Sequence, residues 1–219
     1  MVDYAQARRT MVDCQVRPSD VTDLRIIAAM LDVPRERFVP PARRAIAYLD
    51  LDVPVAEAGT RALLKPMVFA KLVQAAAIGE NDRVLDVGCA TGYSSAVLGR
   101  LAGRVVALEE DATLARMASE ALAELKAANV SVASGPLTAG WWEGAPYDAI
   151  LLEGASEIVP DALLAQLKDG GRLVAVIGRA PMRKATIYRM AGRHVSAVAL
   201  FDAAAPLLPG FAKPAEFVF

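Results

Sequence analysis

The residues best suited to chemistry lie in one short stretch, Val84-Leu85-Asp86-Val87-Gly88-Cys89-Ala90-Thr91-Gly92, followed by Tyr93-Ser94-Ser95-Ala96-Val97-Leu98. A strand-forming run enters a Gly-x-x-x-Gly turn, and an apolar helical pattern begins directly after it. Glycine permits positive φ and lets a ligand lie against bare backbone, so Gly88 is the point of close approach and Gly92 lets the helix pack tightly on its strand. The helix N-terminus is expected to offer unpaired N–H groups and a partial positive charge. Asp86 is out of place in a plain buried strand, because an ionised carboxylate there is costly unless something pairs with it. Its expected partners are the loop's own N–H groups or a cationic ligand. A second acid, Glu109, ends the next strand-like run, residues 104–108, where a carboxylate can accept both hydroxyls of a ribose.

The glycine pattern separates the nucleotides that fit. A dinucleotide fingerprint needs Gly-x-Gly-x-x-Gly so that backbone can press on a pyrophosphate, and here Ala90 and Tyr93 occupy the second and third glycine positions. The loop therefore suits a nucleoside without a pyrophosphate, and S-adenosylmethionine is the common one. A dinucleotide dehydrogenase and a glycine turn that binds nothing are the competing readings. Glu153 follows the clearest later strand, residues 147–152, and its place at the carboxyl end points it at the same crevice.

These residues need a sheet to hold them, and the chain supplies one. Its 219 residues, 55% hydrophobic, suffice for one sizeable core. Lys and Arg total 24 against 25 Asp and Glu, which gives no electrostatic footprint for nucleic acid or an anionic membrane. Cys14 and Cys89 make neither a disulfide scaffold nor a zinc site, and no apolar run is long enough to span a bilayer, so a cytoplasmic, soluble protein is expected.

Residues 4–16 read as an exposed helix or arm. Ser19 or Asp20 can cap a helix carrying Leu24, Ile27, Ala28 and Leu31 at helical spacing, which Pro34 ends. A short helix through residues 35–38 and an extended piece, residues 48–55, follow. Residues 62–65 read as a loop ahead of a helix that Pro66 opens. From residue 83 strands and helices alternate, with helices expected at residues 112–128 and 160–167 and strands near 130–133 and 172–177. That is the signature of a parallel sheet with helices on both faces. Residues 185–191 and 194–201, joined by Gly192-Arg193, read as an antiparallel hairpin. The expected fold is α/β: a mostly parallel, Rossmann-like seven-stranded sheet of the class I methyltransferase type, with a C-terminal antiparallel hairpin. A helical extension with a substrate loop, residues 1–80, packs on a core of residues 81–219. Trp141 and Trp142 are expected to cap the core, and Cys89, which nothing activates, is not expected to be a nucleophile.

Nearly the whole chain resembles the protein-L-isoaspartate O-methyltransferases. The likeness is carried by Asp23-Leu24-Arg25-Ile26-Ile27-Ala28-Ala29-Met30, Val33-Pro34-Arg35-Glu36-Arg37-Phe38-Val39-Pro40, Ala47-Tyr48-Leu49-Asp50, Gly140-Trp141, Ala145-Pro146-Tyr147-Asp148-Ala149-Ile150 and Gln166-Leu167-Lys168-Asp169-Gly170-Gly171-Arg172-Leu173-Val174. The resemblance implies methyl transfer from S-adenosylmethionine to the α-carboxylate of isoaspartyl residues in damaged proteins. It puts Gly88, Cys89, Ala90, Thr91 and Gly92 around the methionine part and Glu109 at the ribose.

Two segments depart from that pattern. The family's Thr-Ile-Ser-x-Pro loop, whose serine reaches the substrate, aligns here with Ala62-Leu63-Leu64-Lys65-Pro66, so Leu64 takes the serine's place, or Leu63 if the register slides by one. Its Gly-rich approach has become Ala58-Gly59-Thr60-Arg61. The substrate side is therefore expected at Leu64, Lys65 and Pro66, with Lys65 and Arg61 readable as carboxylate-holding cations or as solvated loop residues. Where the family has Gly-Asp-Gly near the adenine, this chain has Gly135-Pro136-Leu137, which leaves Leu137 and backbone groups for that contact. These departures admit a methyltransferase with another acceptor, or a non-catalytic homologue that keeps the nucleoside site.

Overall fold

A computed structural model of the protein describes residues 3–56 and 61–214. In chain order its main elements are α1 (Tyr4–Met11), α2 (Leu24–Asp32), β1 (Val53–Pro54), β2 (Ala62–Leu63), α3 (Pro66–Ala76), β3 (Arg83–Val87), α4 (Tyr93–Leu98), β4 (Arg104–Glu109) and α5 (Ala112–Glu124). Then come β5 (Val130–Ser134), β6 (Tyr147–Ser156), α6 (Asp161–Leu164), β7 (Leu167–Arg179), β8 (Met182–Ala191) and β9 (His194–Asp202).

Seven strands form one sheet in the order β5-β4-β3-β6-β7-β8-β9. The first five run parallel, and β8 and β9 close the sheet as an antiparallel hairpin, as the sequence pattern predicts. The central strand β3 lies between β4 and β6, so the chain leaves it toward opposite sides of the sheet. That reversal opens a crevice beyond the carboxyl ends of β3, β4 and β6, where α/β sheets bind ligands.

The two faces are covered differently. The N-terminal elements, α3, α4 and α5 bury Met30, Phe69, Val73, Val97 and Leu114 on one face. The other carries only short turns, α6 and the C-terminal segment, whose Leu208 and Phe211 pack with Leu85, Leu108 and Ile150. Full helices on both faces, expected from the alternation, are therefore not what is seen. The reason for the short α6 is local: Gln166 is fully buried and donates to the carbonyls of Ala139 and Ala162 while accepting from Trp141 N–H, so the chain is pinned and turns into β7. The helix expected to reach residue 128 stops earlier, with Lys126 at φ 53° and Ala127 N–H donating back to Leu122 O, a Schellman-type end.

The N-terminal segment is not an exposed arm. Met11, Val12 and Val16 are buried in the main core, and Arg8 donates to Leu31 O at 3.0 Å. The cap of α2 is Asp23 rather than Ser19 or Asp20, accepting from Arg25 N–H at 2.8 Å. That helix buries Ile26, Ile27, Ala29 and Met30, one position round from the expected stripe, and leaves Leu24 71% exposed. Residues 62 and 63 are not loop: they pair with Pro54 and Val53 in a two-stranded ribbon. Trp141 is partly buried against the second face, while Trp142 is exposed and caps nothing. No helix among the described residues is long and apolar enough to cross a membrane. Ala58, Gly59 and Thr60 lie outside the described residues.

Candidate functional site

The turn after β3 adopts the expected backbone, with Gly88 at φ 79° and Gly92 at φ 92°. Ala90 also takes a left-handed conformation, φ 52°, which a residue with a Cβ adopts only when its surroundings hold it. They do so here through its N–H, which donates to Glu109 Oε2 at 2.7 Å. Gly88 and Cys89 donate to Leu108 O at 2.8 and 3.2 Å. The amides of residues 88–90 are thus used by the fold itself, whereas the N-terminus of α4, where unpaired N–H groups are expected, has no side-chain cap. Thr91 anchors the turn differently, its hydroxyl donating to Phe38 O at 2.5 Å.

Asp86 is not held by the N–H groups of its own loop. Its Oδ2 accepts from the hydroxyls of Ser94, at 2.7 Å, and Ser95, on the first turn of α4. The strand–turn–helix return brings residues eight and nine positions later over the carboxylate, a relation that the spacing of Asp86 from Ser94 and Ser95 makes legible in the sequence. The other oxygen, Oδ1, has no partner. Burial pushes this carboxyl up to about 6, against the pull of the Ser95 and Ser94 hydroxyls.

Arg35, Arg61, Asp86, Glu109 and Glu153 are the buried charged side chains among the described residues, and they gather in this crevice. Glu109 is saturated: Oε1 accepts from the N–H groups of Glu110 and Asp111 at 3.1 and 3.2 Å, and Oε2 from Ala90 N–H and from Arg61 Nη2 in a buried ion pair. Glu153, 7% exposed near the end of β6, has Oε1 without a partner, and burial followed by the Asp86 charge raises its carboxyl well above the usual range. Arg35 is fully buried, with Nε donating to Ala47 O and Nη2 to Leu64 O, each at 2.7 Å, and its guanidinium 4.6 Å from the Tyr93 ring centroid. Arg35 Nη1, Tyr93 OH and Arg61 Nε are buried and unpartnered as well. So many unsatisfied polar atoms in one place mark a site built for something polar, since buried polar groups are otherwise paired.

Arg61 is therefore not a solvated loop residue but a component of the site. A Cβ placed on Gly88 would lie 3.0 Å from Arg61 Nη2 and 3.1 Å from Leu208 Cδ2. The bare backbone expected to meet a ligand meets these two side chains. What remains of the crevice, lined by Arg35, Leu64, Gly88, Tyr93, Ser94 and Glu153 among others, is a cavity of about 10 Å³. That is roughly the space of one water, whereas small-molecule pockets span about 300–1,000 Å³. Arg61 holds a carboxylate, one of the two readings its sequence allows, but that of Glu109; Arg35 and Leu208 reach the crevice from remote segments that no local pattern marks.

Where the sequence expects the acceptor, Leu64 is 2% exposed and presents no hydroxyl. Ala62, Leu63 and Phe69 continue that apolar wall. Lys65 is partly exposed beside it, and its backbone N–H donates to Asp52 Oδ1 at 2.9 Å. Pro66 occupies the first turn of α3 as expected. Leu137 is fully buried in the second-face core with Val87 and Leu108. Cys89 is buried, and its thiol is pushed well above its usual value by that burial, so it is no nucleophile.

Comparison with known proteins places this architecture. The sequence profile of the Protein-L-isoaspartate(D-aspartate) O-methyltransferase family matches residues 7–199. A protein-L-isoaspartate O-methyltransferase of Rhodopseudomonas palustris is 44% identical over 168 residues, covering 77% of this chain and 76% of the relative. One from Methylorubrum extorquens is 41% identical over 191 residues, covering 87% and 82%. A solved protein-L-isoaspartate O-methyltransferase superposes with a TM-score of 0.81 at 24% identity, over 93% of this chain and 66% of the other, just under two thirds of its length. A Plasmodium falciparum protein described by the same activity, crystallised with S-adenosyl-L-homocysteine, gives a TM-score of 0.77 at 18% identity, over 95% and 99%.

Proposed function

This chain belongs to the protein-L-isoaspartate(D-aspartate) O-methyltransferase family, and we propose that it transfers a methyl group from S-adenosylmethionine to the α-carboxylate of isoaspartyl residues in damaged proteins. The observation that carries this reading is the gathering of the buried charges at the carboxyl ends of β3, β4 and β6, around Gly88 and Glu109. Unpartnered Asp86 Oδ1, Glu153 Oε1, Tyr93 OH and Arg35 Nη1 suit the polar groups of an amino-acid nucleoside. The residues fit that group once the Arg61 side chain is elsewhere. Gly88, Cys89, Ala90, Thr91 and Gly92 then border its methionine part, Asp86 and Glu153 its cationic end, Glu109 its ribose, and Leu137 supports the adenine side from the core.

S-adenosylmethionine supplies an electrophilic methyl on a sulfonium, and the chain's own residues need only align an acceptor with it. A carboxylate is already a nucleophile at neutral pH, so no general base is required. Positioning and exclusion of water carry the rate. The wall of Ala62, Leu63, Leu64 and Phe69 provides the exclusion, and Lys65 and Pro66 border the acceptor's approach. The ammonium of Lys65 attracts the acceptor carboxylate without demanding one geometry. Residues 1–80 shape this acceptor side and residues 81–219 carry the cofactor side; a cytoplasmic setting, where damaged proteins accumulate, suits the activity.

The test is transfer of labelled methyl to an isoaspartyl peptide beside the same peptide carrying aspartate. Label on the isoaspartyl peptide alone, released by mild base as an ester would be, is the expected result. Equal labelling of the two peptides, or of neither, overturns the assignment.

A further inference from the structure

Glu109 has no lone pair left for a ribose hydroxyl, because three backbone N–H groups and Arg61 Nη2 use its oxygens. The three amides belong to the turn after β3 and to the end of β4, so they stay with the fold. Arg61 is different. Its backbone is held at the foot of the β1–β2 ribbon, where Val55 N–H donates to Arg61 O at 2.9 Å, while its side chain reaches across to Gly88 and Glu109. The guanidinium fills the volume over Gly88, and the cavity that the same turn lines measures only about 10 Å³. Its own satisfaction is incomplete, with Nε buried and unpartnered.

We propose that Arg61 is a built-in competitor of the cofactor: its guanidinium holds the ribose seat on Glu109 and closes the crevice, and the nucleoside binds only by displacing it. This rests on the methyltransferase reading above. The charges favour such an exchange. With Arg61 swung out, Asp86, Glu109 and Glu153 face Arg35 alone, and a cationic nucleoside restores the buried positive charge that left. The closed state is thus a resting conformation whose population lowers apparent affinity by the fraction of molecules that are open. Leu208 lies against the same glycine beside Arg61, anchored by its N–H to Ala155 O at 2.9 Å, and narrows the opening through which the exchange takes place.

Calorimetry with S-adenosylhomocysteine on the full-length wild type, Arg61→Ala and Arg61→Met tests the proposal. Arg61→Met keeps an apolar stem of similar length and guards against collapse of the site, and Glu109 keeps its three amide donors in each variant. The expected result is binding at least about tenfold tighter in each variant than in wild type. Guanidinium chloride at low millimolar concentration should reverse the gain in Arg61→Ala by reoccupying the vacated seat, whereas sodium chloride at the same ionic strength should not. If wild type binds and the variants bind equally or more weakly, the competitor role is overturned while the cofactor reading stands. If neither wild type nor variants bind S-adenosylhomocysteine or S-adenosylmethionine, the competitor role and the cofactor reading fall together.

Discussion

Replacing Asp86 by asparagine should stabilise the protein at neutral pH and do so by only about a third as much at pH 4.5. Asp86 is fully buried, and its carboxyl is raised from 3.8 to about 6, first by that burial, with the Ser95 and Ser94 hydroxyls pulling it back down and the nearby Glu109 raising it again. A carboxyl whose folded pKa lies above its unfolded one binds protons more tightly in the native state. Its contribution is therefore fully present below about pH 4 and is lost as pH rises through about 6. The shift of about two pH units amounts to roughly 3 kcal/mol at pH 7.5, which asparagine, neutral at every pH and nearly isosteric, does not lose. For a chain of this size that is a melting-temperature gain on the order of 6–12 °C. Glu153 reinforces the sign, since after burial the Asp86 charge is the next cause of its own raised value. Urea unfolding of wild type and Asp86→Asn at pH 4.5 and pH 7.5 reads the difference directly. An equal loss of stability in the variant at both pH values would refute the reasoning, because it would mean that the carboxylate's bonds to Ser94 and Ser95 outweigh the cost of its charge.

Three further substitutions test the frame of the site. Gly92→Ala adds a Cβ at φ 92° that would lie 3.1 Å from Ala118 Cβ and 3.3 Å from its Cα, on a helix backbone that cannot yield; thermal unfolding should show a loss of about 2–4 kcal/mol. Arg35→Met keeps the stem against Tyr93 but abandons the carbonyls of Ala47 and Leu64, so about 2–4 kcal/mol should be lost in urea unfolding. Leu64→Ser should raise kcat/KM for isoaspartyl peptide at a cost of about 2–4 kcal/mol in stability, measured well below the variant's melting point. No gain in kcat/KM would mean that the apolar wall with Lys65 already suffices for the acceptor.

Much of this was legible in the sequence where a local pattern decides it. The strand into Gly88, the acid at the end of β4, the parallel order and the terminal hairpin all follow from periodicity and glycine placement over a few residues. The resemblance carried by residues 23–40 and 140–174 lies within the residues 7–199 that the family profile matches. What escaped depends on pairs far apart in the chain. Arg61 meets Glu109 across 48 positions, and Arg35 meets Leu64 across 29. Neither arginine has a neighbour in sequence that announces burial, and the two readings open to Arg61, a carboxylate-holding cation or a solvated loop residue, separate only when the fold brings Glu109 to it. The buried face of α2 differs from the expected one for a related reason: Leu24, Ile27, Ala28 and Leu31 form a valid stripe, and packing against α1, α3 and α4 selects the one beside it. Tertiary contact decides between two adjacent stripes of similar hydrophobicity.

The same contacts explain why one charge in the crevice, and not another, is the movable one. Asp86 is tied to two hydroxyls, Glu109 to three amides, and Arg35 to two carbonyls and the face of Tyr93. The Arg61 side chain is hydrogen-bonded to Glu109 alone among the described residues, faces Asp86 and Glu153 through charge, and leaves Nε unsatisfied. Breaking a buried ion pair costs about 3–5 kcal/mol when the remaining charge is left uncompensated, and far less when another cation arrives as the first departs. A sulfonium nucleoside bearing a net positive charge meets that condition, whereas its demethylated product, neutral overall, leaves the three carboxylates facing one guanidinium. The crevice is therefore biased toward the donor before transfer and toward the return of Arg61 after it, so loss of the sulfonium charge itself promotes release of the product.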